Sequence, residues 1–130
     1  MTKAIFVMIP LLFALNTTST VFAADVLPQN LRGVWALEPA DCSNDGAADF
    51  RVKVTANEVV FAASAWAARR WKQSGSGWHG LARVNEEGYA GHLPGLRSIT
   101  LQLTSGKTLK ISLQGEPATI YHRCLSSKAS

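Results

Sequence analysis

The chain contains two cysteines and no more, Cys42 and Cys124, set toward opposite ends of its 130 residues. What they constrain depends on the chain's destination, and the N-terminus speaks to that. Lys3 supplies a positive start, Ala4 to Leu15 form an apolar run interrupted by Pro10, and polar Asn16 to Thr20 lead to Val21-Phe22-Ala23. This is the layout of a cleaved export leader with a small-x-Ala site. Cleavage is expected after Ala23, because a cut after Ala24 would put bulky Phe22 three residues before the bond. The apolar run, about 12 residues, falls short of the roughly 20 that span a bilayer. No cysteine directly follows the site to take a lipid anchor, and no second long apolar run appears, so the mature chain is expected to carry no transmembrane segment. The expected organisation is a signal peptide at 1–23, one domain at 24–130 and a frayed tail at 125–130, in a periplasmic or secreted monomer. In an oxidising compartment the two cysteines have one intramolecular pairing, Cys42 with Cys124. Closing so long a loop contributes roughly 4 kcal/mol in the chain-entropy model.

Loss of 23 residues from 130 leaves 107, enough for one domain with an adequate core. Removing Lys3 lowers the basic count from 13 to 12 against nine acids, a net charge of +3. That mild excess favours acidic partners or envelope surfaces and is too small and dispersed to indicate nucleic acid.

The mature chain has little helical period. Leu31, Gly33, Trp35 and Leu37 share one face of a first strand, followed by a loop from Glu38 to Gly46. Phe50, Val52 and Val54 alternate with Arg51, Lys53 and Thr55, and Ala56-Asn57 turns into Glu58 to Phe61, a hairpin. Ala62 to Lys72 is ambiguous: its alanines favour helix, whereas its alternation and its strand neighbours favour strand. Gly75 and Gly77 turn the chain into a strand from Trp78 to Asn85, with Gly80 a bulge or close-approach point. Ile99, Leu101 and Leu103 pair with Leu109, Ile111 and Leu113 in a second hairpin, and Thr119 to Cys124 make the last strand. About eight short antiparallel strands in a meander predict an all-β fold, an up-and-down barrel first and a two-sheet sandwich second.

Asn30-x-x-Gly33-x-Trp35 entering a first strand resembles the Gly-x-Trp entrance of lipocalins and their calycin relatives. In those families an Arg on the last strand packs across the Trp, a role that Arg123 matches here. The resemblance implies a calycin-like barrel closed by Gly33, Trp35 and Arg123, with a ligand site in its mouth. The chain is shorter than a lipocalin and lacks the usual C-terminal helix, which weighs against a large cavity. It is also similar in size and class to small exported bacterial proteins, including secreted protease-inhibitor barrels.

No catalytic, cofactor or metal signature stands out. His79, His92 and His122 have no metal-motif spacing, Glu86-Glu87 look like a turn, and no serine has a nucleophile-elbow setting. Asp41, Asp45 and Asp49 supply oxygen donors in one loop but lack the ligand order of a calcium loop. The one candidate binding patch is Trp66, Arg69, Arg70, Trp71 and Lys72, with Trp78 across the turn. Two arrangements fit it: indole faces presented among cations, or core indoles with a solvated cationic rim. The expected function is a non-enzymatic carrier of a small apolar or amphipathic ligand. The alternative is an interaction module, such as a protease inhibitor, that meets an acidic protein or envelope surface.

Overall fold

The structure, a computed structural model, describes Pro10 and residues 22–125. The expected leader, apart from Pro10, Phe22 and Ala23, and the tail from 126 onward lie outside the described residues. Among the described residues nine strands form one antiparallel sheet: β1 (Phe22–Ala24), β2 (Gly33–Ala36), β3 (Arg51–Val54), β4 (Glu58–Val60), β5 (Ser64–Ser74), β6 (Gly77–Glu86), β7 (Arg97–Ser105), β8 (Thr108–Leu113) and β9 (Thr119–Arg123). From β2 each strand pairs with the next, and β9 returns to β2, so eight strands close into an up-and-down barrel. Closure leaves the ring without long free edges. β1 stands outside it, paired to β5 where β4 does not reach.

The period-2 pattern decides what lies inside. Val52 and Val54, Val59, Ile99 and Leu101, Leu109 and Ile111, and Tyr121 are buried, while their strand neighbours are exposed or half-buried. Each such aliphatic side chain gains about 1.5–3 kcal/mol from burial. Trp35 and Trp71 are fully buried and Trp66 nearly so, and all three join this one core cluster. The interior is therefore filled by side chains.

The ambiguous Ala62–Lys72 segment resolves as strand, with an irregularity that simple alternation does not anticipate. β5 pairs Ala68 with Ala82 and Trp71 with Gly80, so Arg69 and Arg70 together oppose Leu81. This bulge reverses the parity of the strand. Trp66, Ala68 and Trp71 all face inward, whereas regular alternation would put Trp66 and Trp71 on opposite faces. Phe50 also departs from expectation. It ends a 3₁₀ stretch (Asp45–Phe50) before β3 begins and is about half exposed.

One end of the barrel is sealed where the chain's ends meet. Cys42 and Cys124 form a disulfide with their Cα atoms 5.4 Å apart. Trp35 pairs with Arg123 across β2 and β9, and the guanidinium carbon lies 4.2 Å from the indole centroid. The Trp35 indole N–H donates to the Leu31 carbonyl at 3.0 Å, at the end of a 3₁₀ turn (Gln29–Leu31) that plugs the barrel with Leu27 and Leu31. Arg123 also donates to the carbonyls of Asn30, Arg32 and Gly106. Gly33 has φ of +126°, which a side chain would strain, and it lies beside the Arg123 guanidinium.

Candidate functional site

The bulge that turns Trp71 inward pushes two adjacent arginines outward. On the outer face of the β5–β6 hairpin, Lys72 lies opposite His79, the Arg69–Arg70 bulge opposite Leu81, and Ala67 opposite Arg83. Arg69, Arg70, Lys72, His79, Leu81 and Arg83 are all exposed. The segment after β6 builds a wall beside them. Leu93 N–H donates to the Val84 carbonyl at 2.7 Å and His92 bridges to Asn85, which sets His92 and Leu96 along the same depression. The result is a groove of about 610 Å³ with an apolar floor, in which Leu81 and Leu96 are each more than half exposed. Among the described residues four permanent cations and two histidines line it, and no carboxylate does.

The candidate patch is thus divided by the sheet. Its cations, Arg69, Arg70 and Lys72, form the groove. Its indoles do not: Trp66 and Trp71 are buried, and half-buried Trp78 packs against the core on the inner face. Of the two arrangements that the sequence allows, Trp66 and Trp71 take the core one, because the bulge carries both to the same side. Gly80 couples the two faces. A Cβ there would stand 2.8 Å and 2.9 Å from Trp71 ring carbons, so only glycine lets the indole lie flat under the groove. The Trp71 indole N–H is buried and has no hydrogen-bond partner among the described residues. Sequence reasoning missed Leu81, Arg83, His92 and Leu96 as parts of the groove, since their nearness depends on the register of β6 and the fold-back of the next loop.

A second cavity, about 320 Å³, opens at the barrel end opposite the seal. Trp66, Ile111 and Tyr121 lie at its base, and Asp49, Glu86, Glu116 and Arg97 stand around it. Burial first, and then the nearby Glu116 carboxylate, raises the Tyr121 phenol above its ordinary value of 10.0. The acidic loop considered for calcium has structural work for two of its side chains. Asp41 accepts from the Glu38 N–H at 3.2 Å and Asn44 accepts from the Gly46 N–H at 3.0 Å, each steadying a 3₁₀ turn. His122 lies on β9 opposite Ala36, and His79 contacts the Thr100 hydroxyl at 3.1 Å.

No protein-family model, curated protein or solved structure matches the chain.

Proposed function

We propose that the chain is an exported, non-enzymatic interaction module on a calycin-like barrel, and that its groove on the outer face of β5 and β6 docks an acidic, amphipathic surface of a partner protein. One observation carries this reading: an apolar depression ringed by Arg69, Arg70, Lys72 and Arg83 has no carboxylate among the described residues that line it. Such a surface attracts negative charge at long range and offers apolar contact at short range. The calycin likeness rests on the Gly33–Trp35–Arg123 seal. The leader and the disulfide are compatible with export.

The test uses two synthetic amphipathic peptides of equal length, one acidic and one basic, followed by fluorescence anisotropy. The acidic peptide binds, and its affinity falls about tenfold or more in about 0.5 M salt as the charges are screened. Equal binding of both peptides, or no binding of the acidic one, overturns the reading. The carrier reading stands second, supported by the mouth cavity above Trp66 and Tyr121. It predicts that a fluorescent apolar probe enters the mouth and quenches Trp fluorescence, regardless of changes at Arg69 and Arg70.

A further inference from the structure

β5 has eleven residues, but the barrel covers only part of its edge. β4 pairs with Ala65, Trp66 and Ala67, and the Asn57 carbonyl accepts the Ala68 N–H at 3.0 Å. Past the bulge, the strand that meets this edge is β1, with Ala24 opposite Trp71, Ala23 opposite Lys72 and Phe22 opposite Gln73. Two of the three residues of β1 lie on the leader side of the expected cleavage site. Cleavage after Ala23 would leave only Ala24 in place, and a cut after Ala24 would leave none.

We propose that leader removal leaves at most Ala24 against the β5 edge at residues 71–73, and that this edge then takes an extended acidic segment of the partner as an added strand. The inference rests on the interaction reading above and gives the partner its form. Added strands gain affinity from main-chain hydrogen bonds and specificity from alternate side chains. Here the register defines the alternation. Lys72 is exposed and Ala23 opposite it is exposed, whereas Trp71 is buried, Gln73 half-buried and Ala24 half-buried. The incoming strand should therefore carry a carboxylate opposite Lys72, beside the exposed Arg70, and apolar residues on either side. A second copy of this chain is a poor occupant. Two β5 edges paired antiparallel would bring Arg70 and Lys72 of each near those of the other, and like charges across strands destabilise.

Hydrogen exchange on the purified exported protein tests this, with intact mass giving its first residue. Two short β-branched peptides serve as probes, one with a central Glu and one with a central Lys. Those amides of residues 71–73 that face the open edge, and not β6, exchange fast alone and slow about tenfold or more with the Glu peptide only. Arg70→Glu with Lys72→Glu reverses the preference to the Lys peptide. Three results overturn the proposal: Phe22 and Ala23 retained on the exported protein, slow exchange of the edge-facing amides at 71–73 without peptide, or binding of the Glu peptide with exchange of those amides unchanged. The last leaves the groove reading standing. Failure of any acidic peptide to bind sinks that reading as well.

Discussion

The barrel has two clusters of basic side chains with opposite surroundings. At the sealed end, Arg123 stacks on Trp35 and donates to three backbone carbonyls, and Arg32 donates twice to the Leu27 carbonyl. Their donors are turned toward the fold itself. On the outer face of β5–β6, Arg69, Arg70, Lys72 and Arg83 are exposed around an apolar depression that no carboxylate lines among the described residues. The first cluster holds the chain's two ends together. The second, in the proposed reading, is the one that meets a partner. Cation–π contact near Trp is therefore a structural device at one end and is absent from the groove, whose neighbouring Trp71 lies on the other side of the sheet.

The largest effect should come from the seal. Trp35→Ala removes a fully buried indole and its hydrogen bond to Leu31, and should cost about 3–5 kcal/mol in denaturant unfolding. Peptide binding by the fraction that stays folded should be unchanged, and a direct loss of binding would break the division between the two clusters. Gly80→Ala comes next and sharpens that division, because Gly80 lies between Trp71 and the groove. Its added methyl meets the buried Trp71 ring and the Ala68 methyl, so a cost of about 1–3 kcal/mol is expected, with binding weakened as the floor distorts. The smallest effect concerns the mouth. The Tyr121 phenol is raised by burial, so the folded state holds its proton more tightly than the unfolded state. Its contribution is fully present below pH 10 and is lost as pH rises through the higher folded value. Tyr121→Phe should flatten this alkaline loss of stability relative to wild type, and an unchanged pH slope would contradict it.

Much of the fold was legible from the sequence. The pairs Val52–Val54, Ile99–Leu101 and Leu109–Ile111 alternate in the sequence as they do in the barrel, and the two cysteines pair with each other as expected. Glycine had meaning at two places, Gly33 through its positive φ and Gly80 through its contact with Trp71. The bulge was not legible. Nothing in Ala67-Ala68-Arg69-Arg70-Trp71 marks where one extra residue enters, because the bulge depends on what Gly80 and Leu81 offer across the hairpin. That one irregularity decides which side chains of the candidate patch are core and which are surface. Phe50 was misplaced for a related reason: it continues the apolar alternation into a 3₁₀ stretch that is not part of the sheet. The placement of β1 against β5 had no signal either, since Phe22–Ala24 reads as the end of a leader.

The division between a structural and a functional set of arginines is tested most directly by Arg69→Glu with Arg70→Glu, measured for thermal unfolding and for binding of the acidic peptide on the same sample. Both side chains are exposed on a bulge, so stability should change by about 0.5 kcal/mol or less. Affinity for the acidic peptide should fall about tenfold or more. Unchanged affinity, or a loss of affinity that merely follows a loss of folded protein, would contradict the account.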